Sequence, residues 1–268
     1  MGKYFTVEVK PVMTNDASTT SPTNAYTDKD IMFDWHAFDI PKGGARLLSI
    51  TSLVRGTDGA DQLPGATTFD YELIFAKDTA AGAPSTLGVD RAGVLLPTVN
   101  PWFNNIIGRA VVDSSLQGDE GNLIYMNIVN TDLAYNGGAA TYVNSPLVLQ
   151  GNNDMYRKDG YDRLYVAGIA LGAFDFNTGV LLNETDSATL AALGTATLDV
   201  DGTDVRKVFA IGDEIIAQDG AEVGTIKSMT HDGTDGTIVL ESAHTDALAN
   251  NDEFFHKAPI TLIFHFEK

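Results

Sequence analysis

Four acidic side chains, Asp213, Glu214, Asp219 and Glu222, crowd the stretch FAIGDEIIAQDGAEVGTIKSM (Phe209–Met229) around its glycine turns. Carboxylates that converge can hold a cation, or can divide the roles of acid and base between them. A second acidic run, Asp199, Asp201 and Asp204 in DVDGTDV, comes nearest to calcium-loop spacing but lacks the bidentate Glu that closes an EF-hand loop. A plainer chemistry competes at both places. Asp followed by Gly accepts the positive φ that a type I′ hairpin turn demands. In the first stretch Phe209, Ile211, Ile215 and Ile216 supply one strand, Asp219-Gly220 the turn, and Val223 with Ile226 the returning strand. The expectation is therefore hairpin turns with acids at the bends and on the solvated side, any cation binding being adventitious. No metal site and no cofactor are assigned.

Other catalytic patterns are missing from the sequence. It has no G-x-S-x-G elbow, no H-E-x-x-H, no Walker loop and no G-x-G-x-x-G. The five histidines, His36, His231, His244, His256 and His265, stand far apart without ligand-like spacing and read as structural or surface residues. Acids are too abundant for any one pair to stand out as a glycosidase couple. Trp35 and Trp102 could serve as sugar platforms, although packing is the commoner fate of an isolated tryptophan. The chain reads as a non-enzyme.

Composition narrows the partners. Thirty-six acids against 17 bases give a net charge of −19 over 268 residues, with no basic run to offset it. Such a surface repels phosphate backbones, so no nucleic acid is expected, and solubility is the first consequence of the charge. With no cysteine there is no disulfide framework and no thiol nucleophile. No stretch reaches the roughly 18 apolar residues that span a bilayer, and the start MGKYFTVEVK lacks the apolar region of a secretory signal, so no membrane is expected.

The elements that must position any site are strands. YFTVEVKPV, RLLSITSLVRG, FDYELIFAKD, NLIYMNIVN, RLYVAGIALGAF, GTIVLES and PITLIFHFEK are rich in Val, Ile, Thr, Tyr and Phe and are separated by turns rich in Gly, Asn and Asp. Helical stretches are few: TDSATLAALG, and one turn within HTDALANND. The fold expected is all-β, a large antiparallel, jelly-roll-like β-sandwich carrying a small inserted β-barrel. Near Asn183 the chain shifts to tight Asp-Gly turns in DVDGTDV, AQDGAEV and HDGTDGT, so residues 186–257 read as a barrel of about five strands. The final run alternates Leu262, Phe264 and Phe266 against Thr261, Ile263 and His265, like the strands of the first half. Residues 258–268 are accordingly assigned to the sandwich together with 1–185.

Two stretches read as loops beyond the usual connection length, Thr14–Asp30 and Asn100–Asn122. The second carries Trp102, Phe103, Ile106 and Ile107, an apolar cluster suited to an interface centre or to plugging one end of the sandwich.

IPKGGARLLSITSLVRGTDGADQ, followed by FDYELIFAKDTAAGAPSTLG, resembles virion structural proteins of tailed bacteriophages of marine bacteria and cyanobacteria. The later FAIGDEIIAQDGAEVGTIKSMTHDGTDGTIVLESAHTDALANNDEF is similar to small β modules of phage capsid-decoration and fibre-like proteins. The resemblance implies a decoration or cement protein, made in the host cytoplasm and placed on the outer capsid of the virion. It would contact the major capsid protein, and would act as a homo-oligomer, a trimer among the admissible states. A receptor- or carbohydrate-binding tail or fibre protein is the alternative. The resemblance carries no site residues with it.

Overall fold

The computed structural model describes residues 2–13, 26–55, 70–78, 82–87, 105–112, 117–119, 123–128, 132–136, 139–143, 147–152, 160–173, 176, 180–182, 194–201, 204–217, 220–245 and 248–268. In chain order the first strands are β1 (Tyr4–Val9), β2 (Ile31–Pro41), β3 (Ala45–Arg55), β4 (Tyr71–Lys77), β5 (Ile106–Val112), β6 (Gln117–Asp119) and β7 (Leu123–Ile128). There follow β8 (Asp132–Asn136), β9 (Ala139–Val143), β10 (Leu147–Leu149) and β11 (Tyr161–Ala170). The last third holds β12 (Leu181–Leu182), β13 (Thr197–Asp201), α1 (Val205–Val208), β14 (Glu214–Ala217), β15 (Glu222–His231), β16 (Asp235–Leu240), β17 (Phe254–His256) and β18 (Ile260–Glu267).

The protein is all-β, and its sheets are antiparallel. One sheet runs β1-β18-β3-β7-β6, with β10 also paired to β3; the other runs β2-β11-β4-β5. Counting the eight principal strands β1, β2, β3, β4, β5, β7, β11 and β18 in chain order, the sheets read 1-8-3-6 and 2-7-4-5. The chain thus changes sheet at every step except between the fourth and fifth strands. That order is the double Greek key of a jelly roll.

Strand alternation builds the core between the sheets. Leu262, Phe264 and Phe266 of β18 point inward and are fully buried, while Thr261, Ile263 and His265 face the opposite side. Across the gap Phe38 of β2 and Phe75 of β4 meet Phe264 at ring separations of 5.2 and 5.5 Å. Offset and edge-on aromatic pairs of this kind add to the gain from burying their area. A polar contact also bridges the sheets: Ser52 Oγ of β3 lies 2.5 Å from the Tyr71 hydroxyl of β4. Both groups are buried, so each satisfies the other. Burial raises the Tyr71 phenol well above its usual range, and it stays neutral.

Three features differ from the sequence reading. Asn100–Asn122 is not one long loop, because it contains β5 and β6; Gly108 and Arg109 interrupt the apolar run IIGRAVV and hid its period of two. DVDGTDV is not a hairpin either. Its first half is β13, and Asp204 then caps α1, accepting the Arg206 N–H at 3.1 Å while Val205 and Val208 turn inward. HTDALANND makes a tight turn at Ala249–Asp252 and no helix among its described residues. TDSATLAALG lies almost wholly outside the described residues, and so do residues 14–25 of the first long loop.

The third sheet runs β12-β13-β16-β15-β14-β17. Its ends approach each other through a Leu181–Glu253 bridge and through backbone bonds Leu182 N–H to Asp252 O and Phe254 N–H to Val180 O, so the sheet nearly closes into a barrel. Its core is mainly aliphatic, with Val180, Leu198, Ile226 and Ile238, and also buries Phe209 and Phe254. The barrel sheet takes in Leu181–Leu182, upstream of the boundary read at residue 186. It leaves the jelly roll after the seventh principal strand and returns to it as the eighth, β18.

Candidate functional site

The acids of Phe209–Met229 sit where the barrel meets the jelly roll. Asp213 accepts the Ala210 N–H at 2.7 Å, closing a turn in which Gly212 adopts φ +90°. The same carboxylate grips Arg55, at the end of β3, with contacts of 3.0 and 3.1 Å. Its side chain is only 15% exposed. Reading it as a solvated turn residue is therefore corrected: it is a turn residue and also the clasp between two folded units. Glu214 and Glu222 do lie on the exposed side, and both pair with Lys257, at 3.0 and 2.7 Å. The Lys257 hydrogen bond holds the Glu222 carboxyl below its usual range. Asp219 lies outside the described residues.

Behind the clasp stands His256, buried on β17. Its Nε2–H donates to Val208 O at 3.1 Å, and its Nδ1 lies 3.7 Å from the Asp213 carboxylate. Burial, helped by the nearby Arg55 guanidinium, pushes its pKa down to about 3, so the ring is neutral at neutral pH. Backbone bonds complete the junction: Arg55 N–H to Pro259 O, Met13 N–H to Lys257 O and Lys257 N–H to Glu214 O.

The remaining candidates are dispersed. Asp204 caps α1 and holds Arg206 at 2.8 Å, Asp199 accepts from Thr237 at 3.2 Å, and Asp201 lies opposite Asp235 in the β13–β16 ladder. Among the described residues no group of three His, Asp or Glu is placed to hold a metal ion. His36 accepts the Val12 N–H, His265 meets Thr51, and buried His244 meets Thr195, so each ring has a structural hydrogen bond. Trp35 is half-buried and donates its indole N–H to Ser85 O, under a segment whose Leu87 packs against Ile31 and Ala167. It forms part of a packed cluster and not an open sugar platform.

Of the apolar interface set, Trp102 and Phe103 lie outside the described residues. Ile106 and Ile107 are successive residues of β5, and the pleat sends them apart. Ile106 packs toward Trp35 and Leu87 on the outside of its sheet, whereas Ile107 packs on the main core.

The barrel overhangs the outer face of the first sheet and leaves a cleft of about 630 Å³ between them. Leu53 and Ile263 give the jelly-roll side an apolar floor, and Phe209 and Ala210 face them from the barrel. Around them stand Lys10, Arg55, Arg206 and Lys207, with Glu8 as the lining acid. This basic cluster escaped the sequence reading because its members come from positions 10, 55 and 206–207. The legible clue was scarcity: four of only 17 basic residues gather here.

No protein-family model matches the chain, and no curated protein matches it. A solved structure named Cucumber Leaf Spot Virus aligns over 99% of this chain and 97% of that chain at 12% identity, with a TM-score of 0.15. A likeness at that score carries no argument.

Proposed function

We propose that this chain is a non-enzymatic structural protein of a bacteriophage virion, a decoration or cement protein that binds the outer capsid and stabilises the shell. The observation that supports this best is the strand order 1-8-3-6 and 2-7-4-5, since jelly rolls recur in viral capsid domains and in lectins. A fold hosts many functions, so the order weighs only together with the chemistry. The net charge of −19 suits the outside of a particle whose inside is packed with phosphate. Many copies on a lattice let individually modest contacts add up to a large gain in shell stability.

The test is co-sedimentation of the purified protein with undecorated capsids of the encoding phage. Saturable binding at hundreds of copies per particle, with greater resistance of the shell to heat, is expected. Trp102→Ala is the first interface variant to compare and should bind more weakly while remaining folded. Absence of binding by the intact protein sinks the proposal. Because lectins share the architecture, selective retention on a glycan array without capsid binding would transfer the chain to the receptor-binding alternative.

A further inference from the structure

The barrel carries a second charged feature near the cleft. The β15–β16 hairpin turns at Gly233, and Asp232 fixes the turn by accepting the N–H groups of Thr234 and Asp235, each at 2.9 Å. Asp235 then lies directly opposite Asp201 in the ladder. Like charges placed opposite each other across strands are destabilising, and here a third carboxylate, Asp232, adds to the pair. Desolvation, the charges of Asp201 and Asp232, and a side-chain hydrogen bond with Asp201 raise the Asp235 carboxyl above its usual range, so the facing pair is bridged by that hydrogen bond while Asp232 adds a further negative charge beside it. Among the described residues neither Asp232 nor Asp235 has a Lys or Arg partner, and His231 is the one basic side chain that acts on them. A knuckle that keeps like charges together on an exposed hairpin violates a local rule, and such violations mark surfaces with another use.

The cleft has the opposite character. Arg55 and Arg206 are held by Asp213 and Asp204. Lys10 has only an exposed contact with Glu8 at 3.2 Å, and Lys207, exposed on α1, has no ion pair among the described residues. Lys10 and Lys207 are therefore the cations available to an incoming carboxylate. The two features lie on neighbouring parts of the barrel, since a side chain at Gly236, next to the knuckle, would meet Val205 of α1 at about 3.2 Å.

We propose that the acidic knuckle formed by Asp201, Asp232 and Asp235 of one copy docks against the basic cleft, at Lys10 and Lys207, of a second copy of this chain. Copies with a net charge of −19 repel one another in most orientations, and complementary patches select the arrangement that brings opposite charges together. Both halves of the contact are present on one chain, so a single species suffices. The contact does not depend on the virion reading and can be measured without capsids.

The experiment is charge exchange, read by sedimentation velocity in 150 mM salt with circular dichroism as the folding control. The wild type should self-associate. Lys10→Glu combined with Lys207→Glu removes the cleft's available cations, and Asp235→Lys reverses the centre of the knuckle. Each variant alone should weaken association by roughly tenfold or more in apparent Kd. Mixing the two variants pairs an unaltered knuckle with an unaltered cleft and should restore association, now between unlike chains. Wild-type protein that remains monomeric at high concentration overturns the proposal, as do variants that associate like wild type. Stabilisation of a persistent monomer by calcium, abolished by Asp235→Lys, would also overturn it, by showing that an ion and not a second copy relieves the knuckle.

Discussion

The jelly roll and the barrel are both antiparallel β structures, yet they are assembled from opposite kinds of contact. The jelly roll joins the ends of the chain, pairing Tyr4 with Glu267 and Val9 with Leu262, and fills its interior with aromatic rings. The barrel is largely a run of neighbours, β14 with β15 and then β15 with β16, packed mainly on Val, Ile and Leu with Phe209 and Phe254 as core rings. Local pairing closes short loops and forms early, whereas the jelly roll cannot complete its first sheet until the last strand has been made. Two units that fold by such different routes should also fail separately, and that expectation can be broken.

The hardest test removes the ring at the centre of the larger core. Phe264 touches rings from both sheets, so Phe264→Ala should cost about 3–5 kcal/mol, and Trp fluorescence should show it. Trp35 lies on β2 of the jelly roll, so in a Trp102→Phe background the remaining emission follows the jelly roll. Backbone amide signals of β15 and β16 should keep their wild-type unfolding midpoint. The reciprocal change, Leu198→Ala in the barrel core, should cost about 2–5 kcal/mol and leave the tryptophan transition in place. If both reporters move together for either variant, the chain is one cooperative unit and the comparison fails.

The contrast also explains what could be read from the sequence. Asp219-Gly220 and Asp232-Gly233 announced their hairpins because a positive φ at Gly220 and Gly233 is a local demand with a local signature. DVDGTDV carried the same signal and misled, since Asp204 uses its carboxylate to cap a helix whose four residues are too few to show a period. The alternation in Thr261–Phe266 was legible as a strand. Its place between β1 and β3 was argued only from its likeness to earlier strands, because no local pattern encodes which of several similar strands will pair. The Arg55–Asp213 clasp was out of reach for a similar reason. Its partners are 158 residues apart, and each taken alone looks like an ordinary surface charge.

That clasp is the next place to press. Asp213→Ala removes the Arg55 contacts and the acceptor for Ala210 N–H, at an expected cost of about 1–2 kcal/mol once the partial exposure of Arg55 is allowed for. The loss should appear mainly as faster proteolysis and amide exchange at the junction, with both cores intact. A double-mutant cycle with Arg55→Ala isolates the pair. Additive effects would mean that the ion pair does not couple the units.

Acid should loosen the same place from behind. His256 is neutral in the folded protein, with a pKa of about 3 against an ordinary value of 6.5, so below pH 6.5 the unfolded chain takes up the proton and the folded one does not. Its contribution is fully present above pH 6.5 and is lost progressively as the pH falls toward 3. The slope approaches about 1.4 kcal/mol per pH unit for this group alone. The comparison is with His256→Gln, which does not titrate. The wild type should lose stability faster than the variant between pH 6.5 and 5, and parallel curves would show that His256 is solvated or already charged.

The smallest effect is expected at the outermost pair of the junction. Lys257 lies between two acids, Glu214 at 3.0 Å and Glu222 at 2.7 Å, and Glu222 is the more exposed, with 72% of its side chain open to solvent. An exposed carboxylate gains little from an ion pair, because water screens the attraction and holding two long side chains together costs entropy. In Glu222→Gln the amide oxygen can still accept from the Lys257 ammonium, and Glu214 remains to balance its charge. The buried contacts of Lys257 are also untouched, since its backbone N–H bonds to Glu214 O and its O accepts from Met13 N–H. The unfolding midpoint of Glu222→Gln should therefore match wild type, and raising salt to 0.5 M should change both alike. Asp213→Ala next to it should still show its loss under the same conditions. If Glu222→Gln were as damaging as Asp213→Ala, the junction would be held by its surface charges and not by the clasp, and the distinction between a buried and an exposed side of Phe209–Met229 would have to be given up.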